Sequence, residues 1–137
     1  MYDYKDIKTL EQAYAVHPDK INLQETVEKL NSLPARFSRG MIATLNAQVV
    51  TEVINNNDPS VAAFKPDYNN RSQEKCAPWC LGGDGSGAGF RFNGDGWAGT
   101  YSSADGGARL ALRDQARSQH MRENFPDIYK EFFLVLE

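Results

Sequence analysis

The sequence predicts an α+β fold, in which a scaffold of four to five helices carries a small antiparallel β-hairpin or short sheet. Apolar residues recur at helical spacing before residue 55 and again after residue 108. Between these regions, residues 76–107 hold both tryptophans and every glycine of the chain except Gly40. A length of 137 residues suffices for one core, so we expect a single globular domain over residues 1–137.

The first 34 residues predict two short helices. In the first, Thr9 and Gln12 have the spacing of a capping box. The proline after His17 ends this helix, because the residue before a proline is pushed out of helical geometry. Asn22 is the predicted N-cap of the second helix, which Pro34 closes.

The strongest periodic pattern covers residues 35–55 and predicts the central helix. Arg36 and Arg39 fall in its first turn, where the helix dipole disfavours cations. They are interpreted as solvated surface arginines, with an anionic partner as the alternative. The apolar positions form a face that we expect to be buried: Phe37, Met41, Ile42, Leu45, Val49, Val50, Val53 and Ile54.

The glycine-rich segment predicts a β-hairpin. Residues 89–92 and 97–101 alternate small or polar residues with aromatic ones, and Asn93-Gly-Asp-Gly96 between them carries turn signals. The preceding run, residues 82–89, lacks both the Lys-Ser/Thr of a phosphate loop and the spaced carboxylates of a calcium loop. We therefore interpret that run as a turn.

The C-terminal part predicts two further helices. The first is expected over residues 108–124, directly after Gly106-Gly107. Pro126 suits the first turn of the second. The apolar residues 132–135 are expected to dock into the core.

Composition and cysteine usage disfavour several functions. A net charge of −3 gives no overall attraction for phosphate backbones, so nucleic acid is not the expected partner. No leader or membrane-spanning run is seen, which predicts a cytoplasmic location and no membrane partner. Cys76 and Cys80 have three residues between them, where redox pairs and zinc half-sites have two. We interpret them as small apolar residues, with a disulfide or metal site as the alternatives, and expect no cofactor.

Five segments share their order and spacing with one known family. They are Lys65-Pro-Asp-Tyr-Asn-Asn70, Ala77-Pro-Trp79, Ser86-Gly-Ala-Gly-Phe-Arg-Phe92, Gly107-Ala-Arg-Leu110 and Asn124-Phe-Pro-Asp-Ile-Tyr-Lys-Glu-Phe-Phe133. The chain thereby resembles a family of small uncharacterised proteins from phages and other mobile elements of gut Bacteroidetes. The resemblance divides the domain into N-terminal helices, residues 1–34, and a family-like core, residues 35–137. Family members carry aromatic residues where this chain has Cys76, Ala77 and Cys80. The resemblance implies a shared fold and a mobile-element setting, and no particular activity.

Candidate binding residues lie in and around the glycine-rich segment. Arg109 occupies the predicted N-terminus of a helix, where a guanidinium and free backbone amides together make a seat for an anion. The alternative for Arg109 is an ion pair with Asp67, Asp84 or Asp105. Aromatic and charged side chains are expected to line one face with it, with packing as the alternative role of the tryptophans. The complete candidate set is Asp67, Trp79, Arg91, Trp97, Tyr101 and Arg109.

These features predict a small phage or mobile-element accessory protein that binds a host or phage protein, or a small anionic ligand, and does not catalyse a reaction. Neither histidine has a recognisable neighbouring nucleophile; a pocket with a histidine within hydrogen-bond reach of a hydroxyl or carboxylate would instead indicate an enzyme. One alternative is a virion or assembly component that uses a strand edge. The other is nucleic-acid binding through a stripe of arginines, for which salt bridges with Asp114 and Glu123 are the competing interpretation: Arg109, Arg113, Arg117 and Arg122.

Overall fold

The computed structural model of the chain describes residues 2–56, 63–81, 91–97 and 108–134, of which 79–81, 91–97 and 108 are described by their backbone alone. The helices of these ranges are α1 (Leu10–Val16), α2 (Lys20–Leu30), α3 (Ala35–Asn55), α4 (Gln115–Asn124) and α5 (Pro126–Phe133). The strands are β1 (Cys76–Leu81) and β2 (Arg91–Trp97), and short 3-10 turns cover Tyr4–Asp6 and Ala108–Leu110. The predicted helical scaffold is confirmed.

The capping box of α1 is confirmed. The Thr9 hydroxyl accepts from the backbone N–H of Gln12 at 3.2 Å, and the Gln12 side chain accepts from the N–H of Thr9 at 3.1 Å. His17 is the C-cap, as the following proline predicts. Residues 4–6 form a separate 3-10 turn because the Asp3 carboxylate caps it through the N–H of Lys5.

The predicted N-cap of α2 is wrong. The helix begins at Lys20 with Asp19 in the N-cap position, so Asn22 lies inside its first turn. The chain therefore starts the second helix almost directly after Pro18, without a longer loop. No residue of α2 is buried, which makes it the peripheral helix of the scaffold.

The central helix α3 has the predicted bounds, but only its C-terminal half is buried as predicted. Val50, Val53 and Ile54 are at most 2% exposed. Phe37 and Met41 are 52% and 51% exposed, because no described element covers that side of the N-terminal half.

The two arginines at the start of α3 have partners within the chain. Arg39 donates from two nitrogens to the Glu131 carboxylate of α5, at 3.2 and 3.0 Å. Arg36 stacks over the ring of Phe37 at 4.5 Å. The anionic partner of Arg39 is thus Glu131, a residue of the same chain.

One hydrophobic core joins the N-terminal segment, α3 and the two C-terminal helices. The buried His120 of α4 holds the N-terminal segment against this core, since its Nε2 lies 2.7 Å from the carbonyl oxygen of Ile7. Phe133 of α5 packs against the core, as expected for the apolar C-terminal run. The core residues are Tyr4, Ile7, Ala13, Val50, Val53, Ile54, Leu112, Met121, Phe125 and Tyr129.

The predicted turn at residues 93–96 is wrong. These residues lie within β2, which pairs antiparallel with β1 in a register that sets Cys76 opposite Trp97 and Cys80 opposite Phe92. Between Pro78 and Cys80 the register shifts, so that two residues of β2, Asn93 and Gly94, face one of β1. A bulge accommodates a proline, which cannot donate to the ladder, and a glycine. Pairing with a distant segment thus overrides the local turn signal.

The fourth helix begins later than predicted. Leu112 forms a β-bridge with Cys76, with N–H to carbonyl distances of 2.8 and 2.7 Å, and this extended pairing prevents a helix through residues 108–114. Asp114 then caps α4 by accepting from the N–H of Arg117 at 2.8 Å. Pro126 occupies the first turn of α5 as predicted. Across the described residues, every helix is too short or too polar to cross a membrane.

Candidate binding cleft

A cleft of about 290 Å³ opens beside the C-terminal end of α3. Side chains of α3 form its first wall at positions three to four residues apart, which places them on one face of the helix. They are Gln48, Thr51, Glu52, Asn55 and, at the C-cap, Asn56. Residues 64–66 form the second wall, and Arg109 with Ala111 forms the third. The structure therefore joins three segments that are distant in sequence.

The second wall belongs to a loop, residues 63–75, that its own side chains hold in shape. The Asn56 side chain accepts from the N–H of Phe64 at 2.9 Å and ties the start of the loop to α3. The amide of Gln73 accepts from the N–H of Asp67 at 2.6 Å and donates to the carbonyl of Lys65 at 2.9 Å. These hydrogen bonds connect the end of the loop, at Gln73, to its beginning, at residues 65–67.

A buried lysine completes this loop. Lys75 is 1% exposed, and its ammonium donates to the carbonyls of Asn70 and Gln73, both at 3.0 Å. It also lies 5.4 Å from the centroid of the Tyr68 ring. A buried ammonium requires such partners, because an uncompensated charge in the interior is costly. Lys75 is therefore a structural residue of the second wall.

The third wall is attached to α3 through one buried side chain. Asn55, 5% exposed, donates to the carbonyl of Ala111 at 2.9 Å and accepts from the N–H of Arg113 at 3.0 Å. Its amide therefore satisfies two backbone groups of residues 111–113 at once. Arg109, two residues earlier, reaches the cleft from this anchored segment.

The carboxylate of the cleft is held by a histidine. His17 Nε2 lies 2.8 Å from the Glu52 carboxylate, and His17 Nδ1 accepts from the N–H of Asp19 at 3.0 Å. Because Nδ1 accepts, the neutral ring carries its proton on Nε2 and donates it to Glu52. Both ring nitrogens are engaged, and the His17 side chain is only 6% exposed. His17 thus orients Glu52.

The two cations of the cleft are free to meet a partner. Lys65 and Arg109 are exposed. Neither side chain has an ion pair or hydrogen bond to any other residue that the structure describes. Glu52, in contrast, already accepts from His17. The cleft therefore offers uncompensated positive charge beside a partly satisfied carboxylate.

A second cleft, of about 410 Å³, adjoins the first and shares Phe64 and Lys65 with it. Its other walls include Glu74 and Arg113. The Arg113 guanidinium lies 5.5 Å from the centroid of the Phe64 ring. Burial, and after it the charge of Arg117, lowers the pKa of Arg113 from its ordinary value. The Glu74 carboxylate accepts from the N–H of Gln115 at 3.1 Å.

Of the predicted site residues, Arg109 lines the cleft, although not at a helix N-terminus as expected. Its segment is a three-residue 3-10 turn, and the helix that follows is capped by Asp114. Asp67 stabilises its own loop, since its carboxylate accepts from the N–H of Asn69 at 3.0 Å. The side chains of Trp79, Arg91 and Trp97, and all of Tyr101, Asp84 and Asp105, lie outside the described part of the chain.

The predicted arginine stripe does not form one surface. Arg117 pairs with Asp114, donates to the carbonyl of Ile54 at 2.9 Å and lies over the Tyr4 ring at 4.3 Å. Arg113 faces Phe64 instead. The salt bridge with Asp114 that the sequence offers as an alternative is therefore present, whereas Glu123 accepts from Gln119.

The strand geometry separates the two cysteines. Four residues of extended chain place the α-carbons of Cys76 and Cys80 about 13 Å apart, well beyond the span of a disulfide. The Cys76 thiol is buried and lies 3.5 Å from the Glu74 carboxylate. Within the described ranges, no three histidine, cysteine or acidic side chains group together as metal ligands would.

Sequence reasoning missed most of the cleft. Glu52 could have been noticed, because it is the only charged residue of α3 after Arg39. Lys65 opens the family-like segment Lys65-Pro-Asp-Tyr-Asn-Asn70 and Phe64 precedes it, yet no local pattern marks either as a site residue. His17 carries no sequence signal at all, since its partner is 35 positions away.

The chain matches no protein-family model, and neither a curated protein nor a solved structure is significantly similar to it. What the cleft binds must therefore be argued from its own chemistry.

Proposed function

We propose that this chain is a small binding protein that recognises an anionic group of its partner in the cleft between α3, residues 63–75 and Arg109. The observation that carries the proposal is the pair of exposed cations, Lys65 and Arg109, which lack intramolecular partners among the described residues. A carboxylate or phosphate between them would form charge-assisted hydrogen bonds, which are stronger than neutral ones. The resemblance to phage and mobile-element proteins supports an accessory role in that setting.

Recognition is favoured over catalysis by the way the polar groups are used. A histidine does lie within hydrogen-bond reach of a carboxylate here, which is the arrangement that would indicate an enzyme. Both nitrogens of His17 are engaged, however. The only hydroxyl that lines the described cleft, that of Thr51, is buried and donates to the carbonyl of Ala47 at 2.8 Å. Neither group is available as a base or nucleophile.

The proposal is tested by an NMR titration with N-acetylglutamate. The control ligand is N-acetylglutamine amide, which is neutral because amides replace both carboxylates. We expect shifts confined to the amides of the three walls, and their loss in Arg109→Gln. Arg71→Gln is the control, because Arg71 is an exposed arginine of the loop 63–75 that lines neither cleft. Equal shifts with both ligands, or unchanged shifts in Arg109→Gln, would contradict the proposal.

Assembly is the second candidate function, and a separate observation favours it. Among the described residues, the large hydrophobic side chains that are exposed all lie between positions 16 and 41: Val16, Ile21, Leu33, Phe37 and Met41. Phe37 and Met41 lie four residues apart on α3 and so share one helix face, and exposed apolar surface is typical of protein interfaces. If it mediates self-association, sedimentation equilibrium will show oligomers that the double substitution Phe37→Ser and Met41→Ser dissociates. A monomer at all concentrations would exclude this function.

A further inference from the structure

We infer that the ligand of the first cleft is a small zwitterion, a free α-amino acid, whose carboxylate is the anionic group that is recognised. This inference deepens the proposed function and rests on it. Among the described residues, three charged side chains line this cleft, the cations Lys65 and Arg109 and the carboxylate Glu52. A ligand with one charge of each sign pairs with all three, whereas a simple anion is also repelled by Glu52.

The Glu52 carboxylate is positioned to accept from the ammonium group of such a ligand. The neutral ring of His17 donates to its Oε2 at 2.8 Å, which fixes the carboxylate in place without cancelling its negative charge. The Glu52 side chain is 46% exposed. Its Oε1 has no hydrogen-bond donor within the described ranges. One oxygen therefore anchors the group, and the other is open to a ligand.

The end of α3 adds to the preference for a cation at Glu52. This residue lies in the last turn of the helix, where the helix dipole is negative and favours positive charge. The structure describes this turn in full, and the turn contains no basic residue. An ammonium group beside Glu52 supplies the positive charge that the helix end otherwise lacks.

The dimensions of the first cleft suit a ligand of this size. Taken as a sphere, 290 Å³ is about 8 Å across, at the small end of the range of ligand pockets. Glu52 forms no ion pair with Lys65 or Arg109, so a gap separates the opposite charges of the cleft. The charged groups of an α-amino acid are about 3 Å apart, and a hydrogen bond of about 2.9 Å at each end extends this span to at most about 9 Å. The ligand is therefore long enough to bridge the gap.

Neutral groups of the first cleft complete the site. Gln48 and Asn56 lie four residues before and after Glu52, about 6 Å away along α3. The Asn56 carbonyl oxygen accepts from the N–H of Phe64, and its amide nitrogen has no partner in the described part of the chain, so it can donate to a carboxylate. Phe64 and Pro66, both partly buried, offer apolar surface to the ligand's side chain. Apolar walls with a few placed polar groups are typical of small-molecule sites.

The experiment compares three forms of leucine by NMR titration at about pH 7, where α-amino groups are mostly charged. L-leucine carries both charges, N-acetyl-L-leucine keeps only the carboxylate, and L-leucine amide keeps only the ammonium. We expect L-leucine to bind about five- to tenfold more tightly than N-acetyl-L-leucine, which is roughly the effect of one partly exposed ionic contact. L-leucine amide should bind most weakly, because it meets two cations without an anion of its own.

The variant that tests the role of Glu52 is Glu52→Gln. It should weaken L-leucine about five- to tenfold and strengthen N-acetyl-L-leucine, because it removes both the attraction for the ammonium and the repulsion of the carboxylate. A glutamine at this position still accepts from His17, so the contact that fixes the side chain is kept. Glu28→Gln is the control, because Glu28 is an exposed carboxylate of α2 that lines neither cleft. Should Glu52→Gln unfold, the three leucine forms still decide the inference on the unmodified protein.

The outcomes separate the two proposals. If N-acetyl-L-leucine binds as tightly as L-leucine, or if Glu52→Gln weakens both equally, the zwitterion inference is overturned and the proposed function stands. The same holds if no form of leucine binds while N-acetylglutamate still shifts the amides of the first cleft. If N-acetylglutamate fails as well, both proposals fall. Both also fall if L-leucine amide binds as tightly as L-leucine, since the cleft then does not recognise an anion.

Discussion

Replacing Asn55 with alanine should destabilise the whole domain, because this amide joins the central helix to the segment that carries Arg109. Two hydrogen bonds disappear, a buried one of 2.9 Å to the carbonyl of Ala111 and a part-buried one of 3.0 Å from the N–H of Arg113. Each backbone group left without a partner costs about 1 to 3 kcal/mol. Alanine recovers about 0.5 kcal/mol through its higher helix propensity. The expected loss of unfolding free energy is thus about 1.5 to 5.5 kcal/mol.

Urea unfolding followed by circular dichroism measures this loss through linear extrapolation. The matched control is Asn56→Ala, in which one half-buried bond, from the N–H of Phe64, is lost. That variant should lose about 1 kcal/mol. A loss below about 0.5 kcal/mol for Asn55→Ala would refute the reasoning, since it would mean that the amide does not satisfy those backbone groups.

Two further predictions test the core and the ionisation of a half-buried phenol. Ile54→Ala should lower the unfolding free energy by about 2 to 5 kcal/mol, because Ile54 is fully buried. Met41→Ala on the same helix should cost about 1 kcal/mol or less, since Met41 is half exposed, and equal losses would contradict the assigned core face. Burial raises the pKa of Tyr14, whose hydroxyl donates to Asn46, above 10.0, so the unfolded state loses this proton first and stability falls as pH rises above about 10. Comparison of urea midpoints at about pH 8 and about pH 11 should show a smaller drop in Tyr14→Phe, and an unchanged drop would count against the shift.

The helices that the sequence predicts best are those with local signals at their ends. The capping box of Thr9 and Gln12 is an interaction between residues three apart, so the sequence contains both partners. Residues 35–55 carry a long periodic pattern, and α3 has the bounds that this pattern predicts. At the start of α2, Asp19 and Asn22 are both residue types favoured at an N-cap. The helix begins at Lys20, so Asp19 takes the N-cap position.

The errors share a different cause, which is pairing over long distances. Asn93-Gly-Asp-Gly96 is a good turn sequence, yet it lies in a strand because residues 76–78 provide a partner for it. The helix predicted from residue 108 begins at residue 115 because Leu112 bridges to Cys76, 36 positions away. Local propensity amounts to tenths of a kcal/mol per residue, and two buried backbone hydrogen bonds exceed it.

For this protein, the sequence by itself determined the bounds of α3 and which residues cap α1 and open α5, since these depend on neighbours within a few positions. It also predicted Arg109 as a candidate binding residue, and Arg109 lines the cleft. Only the tertiary structure decided what surrounds Arg109, because Lys65 and Glu52 reach the same cleft from other segments. The physical reason is that a site is a set of contacts between distant residues. Such contacts form only where the burial of a shared core repays the entropy of bringing those segments together.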